Sequence, residues 1–330
     1  MVLTLRDTAG PPGPSVTNAG RVALQIYLPI ADLPVNIFLV LGMGLAVGFI
    51  SGMFGIGGGF LMTPLLIFVG ISPAVAVASV ASHIAASSFS GAINYWRKRA
   101  IDMALALMLL SAGIVGTACG VWLFTILREM DQLDLMIGLS YVTLLTLVGG
   151  MMIYESVRAE LRTRRGGAAT LRRPGSHTWI HGLPLKMRFK RSKIYVSAIP
   201  VWGIGFIIGF VGAIMGIGGG FLLVPMLIYF LRVPTATVIG TSMVLTLVTM
   251  ASATVMHSIT NHLVDGVLAL ILMVGGVIGA QFGVRTGQKM RGERLRLLLG
   301  LLVFAVGLRF AYQLIVQPDD LYSLRMVGFD

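Results

Sequence analysis

The chain has 330 residues, of which 56% are hydrophobic and 12% charged, and its mean hydropathy is +0.89. Soluble domains carry about 25% charged residues, so this composition excludes a soluble globular protein. The formal net charge is +12, but no aromatic interleaving or nucleic-acid-binding motif accompanies it, which argues against a nucleic-acid partner. The single cysteine, Cys119, excludes an intramolecular disulfide bond and a cysteine metal cluster.

Ten apolar segments follow one another along the chain, and most are long enough to cross roughly 30 Å of hydrocarbon. We predict the first five over residues 35–53, 60–72, 73–96, 101–127 and 133–154. We predict the second five over residues 195–214, 221–232, 234–260, 264–284 and 295–316. The pattern indicates an all-α polytopic membrane protein with five segments in each half.

The two halves of the chain repeat one another. Residues 48–68 (GFISGMFGIGGGFLMTPLLIF) align without gaps with residues 209–229 (GFVGAIMGIGGGFLLVPMLIY). After a two-residue insertion the match resumes, and the later pairs are Asp102 with Asp265, Gly113 with Gly276, Gly116 with Gly279 and Gly120 with Gly283. We therefore expect a duplication, with membrane repeats at 35–154 and 194–316. Because each half has an odd number of segments, the second half is predicted to be inverted relative to the first.

The charges of the connections predict the orientation in the membrane. Residues 155–193 contain eleven basic and two acidic residues, so this basic loop holds +9 of the net +12. By the positive-inside rule we expect it in the cytoplasm, where it would contact anionic lipid head groups. The connections at 96–100 and 285–296 then also lie inside, and both termini lie outside. The remaining segments are an extracytoplasmic leader (1–34) and a C-terminal tail (317–330).

The sequence GIGGG occurs twice, at 55–59 and at 216–220. Each glycine costs about 1 kcal/mol relative to alanine inside a helix, so each run predicts a helix break. The segment after the first break, 60–72, reaches only about 20 Å at roughly 1.5 Å per residue, which predicts a hairpin that does not cross fully. A half-helix that begins at such a break directs free N–H groups and the positive end of its dipole at a ligand.

We therefore expect a small anion to bind near the membrane midplane, between the two breaks. The residues predicted to hold it are Gly57, Gly58, Gly59, Gly218, Gly219 and Gly220. Close packing of helices is the alternative role for the same glycines. For the repeated glycines at 113, 116, 120, 276, 279 and 283 we expect packing alone.

Hydroxyl side chains that follow closely on the hairpins are candidates to complete the anion site. Ser82, Thr241 and Ser242 are the ones we favour, although hydroxyls in membrane helices also bond to the preceding turn or join helices. His83 is an ionisable residue inside a predicted span, so it is a candidate anion ligand or proton carrier. A histidine that only packs between helices is the alternative.

Three further ionisable residues lie near the ends of predicted helices. Asp102 and Asp265 match in the repeat, and each precedes a fourth segment. They either complement the helix dipole or take part in proton coupling together with His83. His257 lies close to the predicted outer boundary, where we expect it at the membrane interface.

At these residues the sequence resembles a known family. The motifs GMFGIGGGFLMTPLLI and GAIMGIGGGFLLVPMLI, the intervening NYWRKRAIDMALALML and the duplicated plan resemble sulfite exporters of the TauE/SafE type. The resemblance covers about residues 25–315. It implies a multi-pass permease of the bacterial cytoplasmic (inner) membrane for small sulfur-containing anions such as sulfite and organosulfonates, mostly exported. The basic loop is longer than a minimal linker between the halves of that family.

The sequence thus predicts a secondary transporter that works by alternating access, coupled to protons or to the membrane potential. We find no HExxH, no Walker lysine and no convincing Ser/His/Asp order. We therefore expect no enzymatic activity, no ATP-driven engine, no cofactor and no metal. Two alternative functions are consistent with the same sequence features: a passive anion channel, and a membrane scaffold that binds partners through the basic loop.

Overall fold

The computed structural model describes residues 25–54, 56–97, 99, 101–164, 185–189, 194–229, 235–287 and 292–315. Helices α1 to α5 are Ile37–Phe54, Gly59–Phe68, Pro73–Arg97, Met103–Glu129 and Leu133–Arg164. Helices α6 to α10 are Ala198–Met215, Gly220–Tyr229, Thr235–Met256, Gly266–Gly287 and Gly292–Ile315. A π-helical turn, His257–Asn261, continues α8.

All ten predicted segments are helices, and their ends agree with the prediction to within a few residues, except at the end of α5. That helix runs to Arg164, ten residues into the segment predicted as the basic loop. Residues 165–184 and 190–193 of that loop, and the tail from 316 onward, lie outside the described residues.

Two short antiparallel β-hairpins were not predicted, so the described chain is mostly but not entirely helical. Strands β1 (Gln25–Leu28) and β2 (Leu33–Asn36) pair directly before α1. Strands β3 (Lys186–Phe189) and β4 (Ile194–Ser197) pair directly before α6. The first hairpin forms because Leu28 and Val35 are buried against the helices, at 0% and 5% exposure. Residues that we assigned to a leader therefore belong to the packed structure.

Seven helices in the described residues are long and apolar enough to cross a membrane, judged by length and composition. These are α1, α3, α4, α5, α6, α8 with its π turn, and α9. Helices α2 and α7 have ten residues each, so they span only about 15 Å. Helix α3 is the most central of the seven: 72% of its most apolar 18-residue stretch is buried, compared with 39% for α1.

Helices of one half pack against helices of the other half in matched pairs. Helix α1 lies along α9 and α4 lies along α6, while α3 packs on α8 and α5 on α10. A Cβ atom added to Gly48 would overlap Gly276, and one added to the matched Gly209 would overlap Gly113. The same contact thus recurs at positions that the sequence repeat aligns.

The repeated glycines pack helices, as predicted. An added Cβ at Gly279 or Gly283 would overlap the backbone of α1, at Leu45 and Phe49 respectively. At the matched positions, an added Cβ on Gly116 would overlap the Phe206 carbonyl oxygen of α6, and one on Gly120 would lie 2.6 Å from the Phe210 carbonyl oxygen. Backbones approach this closely only where a side chain is absent.

Candidate functional site

Both GIGGG runs break a helix in the structure. Helix α1 ends at Phe54 and α2 begins at Gly59, while α6 ends at Met215 and α7 begins at Gly220. Gly55 lies outside the described residues. The backbone φ angle is +87° at Gly57, +70° at Gly58, +62° at Gly216 and +75° at Gly218. Residues with a Cβ atom are strained at such angles, so glycine is required here.

The first turns of α2 and α7 lie against the opposite break. A Cβ atom added to Gly59 would overlap Gly216 O and lie 2.5 Å from Ile217 O. One added to the matched Gly220 would lie 2.7 Å from Ile56 O. Phe60 and Phe221, also matched in the repeat, stack with ring centroids 5.0 Å apart. The two glycine runs that we expected to converge are therefore adjacent.

The breaks lie level with the middle of two long helices. A Cβ added to Gly57 would lie 2.9 Å from Thr246 Cγ2 and 3.1 Å from Ile84 Cγ2. One added to Gly218 would lie 2.9 Å from Ile84 Cγ2 and 3.5 Å from Thr246 Cγ2. Ile84 is the twelfth of 25 residues in α3 (84 − 73 + 1), and Thr246 is the twelfth of 22 in α8 (246 − 235 + 1). Both breaks are thus about halfway along the helices that they contact.

Two residues beside the breaks, Ser88 and Thr246, have a buried hydroxyl group without a partner. Among the described residues, the buried side-chain polar atoms without a hydrogen bond are His83 Nε2, Ser88 Oγ and Thr246 Oγ1. Ser88 Oγ is 3.8 Å from the position of an added Cβ on Gly57. Buried polar groups are almost always paired, and an unpaired one costs about 1–3 kcal/mol. The N-cap residue of α2, Gly58, has no side chain that could cap the start of this helix.

The hydroxyls that we favoured from the sequence make other contacts. Ser82 Oγ donates to Ser79 O at 2.6 Å, and Ser242 Oγ donates to Ile239 O at 2.8 Å, so both bond to the preceding turn. Thr241 Oγ1 accepts from the backbone N–H of Asp102 at 3.5 Å. A role for these three residues in anion binding stays a prediction.

Helix geometry explains why Ser88 lies at the first break. Helices α2 and α3 run in opposite directions around a turn centred between residues 70 and 71. Gly57 precedes this centre by 13.5 residues, and Ile84 follows it by 13.5 residues. Because both helices rise by about 1.5 Å per residue, these two residues are level, and Ser88 is one turn further along. Counting residues from the turn therefore indicates which hydroxyls reach a break.

His83 faces α9 and not the glycine runs. Its Nδ1 atom lies 2.7 Å from Leu272 O. The ring occupies a space that is open only because residue 276 is glycine, since an added Cβ would overlap the ring. A carbonyl oxygen accepts only, so Nδ1 carries the proton of the neutral ring and the unpaired Nε2 is a free acceptor.

The two matched aspartates cap helices, as one of our two interpretations held. Asp265 Oδ1 accepts from the N–H groups of Val267 and Leu268 at 3.1 and 3.0 Å. Its Oδ2 accepts from Ile30 N at 2.9 Å, so this carboxylate also holds the tip of the β1–β2 hairpin. Asp102 Oδ1 accepts from Leu105 N at 3.4 Å at the start of α4. A role in proton coupling stays a prediction.

Sequence reasoning missed three side chains that cap the C-terminal end of α6. Tyr141 Oη donates to Met215 O at 2.7 Å, and Thr63 Oγ1 donates to Gly216 O at 3.2 Å. His257 Nε2 lies 3.1 Å from Ala213 O. His257, which we expected at the membrane interface, is fully buried inside the protein, at the start of the π turn that continues α8.

The fold and the site define a multi-pass membrane protein with paired helix breaks at its centre. A family model described as "Sulfite exporter TauE/SafE" matches residues 40–310. The chain therefore belongs to the sulfite exporter TauE/SafE family of membrane transporters, and the resemblance stated from its motifs is confirmed.

Curated relatives span nearly the same length. The chain is 29% identical over 283 residues to a "Probable membrane transporter protein" of Xylella fastidiosa (strain 9a5c), covering 83% of this chain and 94% of the relative. It is 22% identical over 279 residues to "Probable membrane transporter protein YunE" of Bacillus subtilis (strain 168), covering 82% and 96%. A segment of 53 residues, 16% of this chain and 12% of the relative, is 45% identical to "Sulfite exporter TauE/SafE family protein 1" of Arabidopsis thaliana. No solved structure matches the chain.

Proposed function

We propose that this protein is a secondary transporter that exports small sulfur-containing anions, such as sulfite or organosulfonates, across the bacterial inner membrane. The family description and the transporter names of its relatives support transport and an anionic substrate. The observation that carries the proposal is the pair of unpaired, buried hydroxyls beside the glycine breaks, Ser88 and Thr246. A ligand with acceptor oxygens that binds at the breaks would satisfy these groups.

The proposed site binds the anion with neutral donors. The N–H groups of residues 57–59 and 218–220 bind its oxygens, and the hydroxyls of Ser88 and Thr246 donate further hydrogen bonds. Each helix N-terminus carries roughly half an elementary positive charge. The starts of α2 and α7 together therefore supply about one positive charge, which suits a singly charged anion such as a sulfonate or hydrogensulfite.

The transport mechanism that we propose is alternating access by an inverted repeat. Contacts recur when matched residues are exchanged between halves, such as Gly48 with Gly276 and Gly209 with Gly113, and this supports a two-fold arrangement. Leu33 lies just before α1, and a Cβ atom added to Gly70, in the turn just after α2, would lie 4.0 Å from Leu33 Cδ1. This supports a re-entrant α1–α2 hairpin that begins and ends at the same membrane face. One repeat-related bundle then rocks against the other around the fixed anion site.

For coupling we propose His83 as the proton site. It is buried within the helix bundle, and its Nε2 atom has no partner, so it can take up a proton without breaking its bond to Leu272. We propose that the basic loop faces the cytoplasm and contacts anionic lipids, and that both termini are extracytoplasmic.

The test is uptake of radiolabelled sulfite by proteoliposomes that contain the full chain, with and without a pH gradient and with unlabelled sulfonates as competitors. We expect saturable flux. Ser88→Ala and Thr246→Val should raise the KM several-fold while thermal stability stays the same or rises, because each removes a hydroxyl that has no partner in the protein. Ser87→Ala is the matched control, since Ser87 Oγ bonds to Ile84 O in its own helix at 3.1 Å.

Each other outcome has a clear meaning. An unchanged KM in both hydroxyl variants would reject this anion site. Flux that neither saturates nor shows counter-flow would indicate a passive anion channel. Absent flux from folded, inserted protein, with function lost on deletion of residues 165–184, would favour the scaffold.

A further inference from the structure

At each glycine break, the C-terminal end of one helix lies close to the N-terminal end of the next. Helix α7 begins at Gly220 with N–H groups that attract an anion, and α6 ends at Met215 with carbonyl oxygens that repel one. The last four carbonyls of a helix have no partner within it, and together they carry roughly half a negative charge. Gly59 lies directly against the carbonyl oxygens of Gly216 and Ile217. An anion bound at the breaks would therefore lie close to uncapped acceptors unless something satisfies them.

We propose that Thr63, Tyr141 and His257 are positioning residues that cap this end of α6 and so make the second break selective for anions. The inference rests on the proposed function and concerns the same site. Their donor atoms bond to three different carbonyls, those of Gly216, Met215 and Ala213. The oxygen of Gly212 is occupied by the N–H of Gly216 at 2.9 Å.

The three caps come from three separate elements, so their convergence is a property of the tertiary structure. Thr63 lies on α2, Tyr141 on α5 and His257 on the π turn after α8. All three side chains are fully buried, at 0% exposure. Water therefore does not replace their hydrogen bonds. Whether each carbonyl oxygen is hydrogen-bonded depends on the side chain that caps it.

The neighbours of His257 favour the tautomer whose Nε2 atom carries the hydrogen. Asn261 Nδ2 lies 3.3 Å from His257 Nδ1, and an amide nitrogen only donates. Nδ1 therefore accepts, and Nε2 carries the hydrogen that is directed at Ala213 O. Asn261 is itself fixed by α4, because Thr125 Oγ1 bonds to its side-chain oxygen at 3.1 Å and Arg128 to its backbone oxygen at 2.9 Å.

The sequence repeat indicates that two of these hydroxyls are not needed by the fold. Thr63 aligns with Val224 through the ungapped match, and Tyr141 aligns with Phe304 through the offset that pairs Asp102 with Asp265. Each position in the second half thus has an apolar residue of similar size. The hydroxyls occur only in the first half, and both bond to the carbonyls of the second break.

The experiment measures sulfite flux in proteoliposomes for Thr63→Val, Tyr141→Phe and the rescue variant Thr63→Ser. We expect Thr63→Val and Tyr141→Phe to raise the KM about three- to tenfold, the factor that corresponds to one neutral hydrogen bond, with little change in kcat. Thr63→Ser keeps the donor and should keep the wild-type KM. Thr117→Val is the matched control. Thr117, on α4, is buried and bonds at 3.5 Å to Gly209 O, which lies in the middle of α6 and away from the break.

The outcomes separate this inference from the proposed function. Saturable wild-type flux with an unchanged KM in Thr63→Val and Tyr141→Phe overturns the capping role and leaves the transporter in place. A fall in kcat that follows a loss of thermal stability, with KM unchanged, also overturns it, because that is the result of a structural role alone. No saturable anion flux in the wild type rejects the proposed function and the capping role together.

Discussion

At the scale of single residues, the breaks depend on backbone angles that a side chain disfavours. Gly58 has φ +70°, and a Cβ there would lie 2.9 Å from Ser51 Cβ. Gly219 is constrained by space, since its Cβ would overlap Ile208 Cγ2. A residue with a Cβ atom costs about 1–2 kcal/mol at a left-handed angle, and a β-branched residue also needs room that neither position has.

We therefore expect Gly58→Val and Gly219→Val to abolish sulfite flux while the protein still inserts into the membrane. Valine displaces the N–H groups that bind the anion in our proposal. The measurement is proteoliposome flux, normalised to folded protein in a melting assay. Gly203→Ala is the control, because an added Cβ there meets nothing within 4 Å. Normal flux in both valine variants would refute the glycine site.

At the scale of elements, two equivalent helix pairs hold the halves together. Gly279 of α9 lies against Leu45 O, and the matched Gly116 of α4 lies against Phe206 O. Transmembrane helices gain little from the hydrophobic effect in lipid, so close packing and hydrogen bonds provide their association energy. A side chain at either glycine would force the helices apart.

We expect Gly116→Val and Gly279→Val to lower the melting temperature by similar amounts, because the two interfaces have the same geometry. Gly150→Ala, in α5, should leave stability unchanged or raise it by up to about 1 kcal/mol, since alanine favours the helix and an added Cβ there meets nothing within 4 Å. The measurement is thermal unfolding in detergent. Stability as high as wild type in both valine variants would contradict the packing role.

The β1–β2 hairpin is fastened to the helices by one carboxylate. Asp265→Ala removes the cap of α9 and the acceptor for the N–H of Ile30. We expect a loss of about 1 kcal/mol or more in stability and faster hydrogen exchange in residues 25–36. Gln25→Ala is the control, because Gln25 is an exposed residue of the same hairpin. Unchanged exchange in Asp265→Ala would show that other contacts hold the hairpin.

At the scale of the whole molecule, the distribution of charge predicts one orientation in the membrane. The basic loop at 155–193 carries +9, so the positive-inside rule predicts that it lies in the cytoplasm. On this prediction the turn between α4 and α5 is extracytoplasmic, and its Met130 is 57% exposed.

Single cysteines in a Cys119→Ser background test this orientation. An impermeant maleimide added to intact cells should label Met130→Cys and should label Ser176→Cys, in the basic loop, only after the cells are opened. Maleimide labelling quantified by gel shift is the measurement. The opposite labelling pattern would reverse the predicted topology, and labelling of both in intact cells would reject a cytoplasmic loop.

Much of the architecture could be read from local patterns. Apolar segments such as 73–96 and 101–127 became α3 and α4 with shifts of one or two residues, because membrane helices satisfy their own backbone hydrogen bonds. The breaks were predictable because glycine disfavours a helix at any depth. The β1–β2 hairpin was not predictable in the same way, since its attachment to the helices involves a distant carboxylate at residue 265.

The sequence by itself determined the membrane class, the ten helices, the duplication and the two helix breaks, because hydrophobicity and glycine act through local energetics. Only the tertiary structure decided which polar atoms meet the breaks. Ser88 Oγ lies beside the first break and Thr246 contacts both breaks through its methyl group, while Ser82 and Ser242 bond to their own helices. Thr63, Tyr141 and His257 converge on one helix end from elements far apart in the chain. The physical reason is that helix packing sets which face of each helix points inward, and periodicity within one helix does not identify its neighbour.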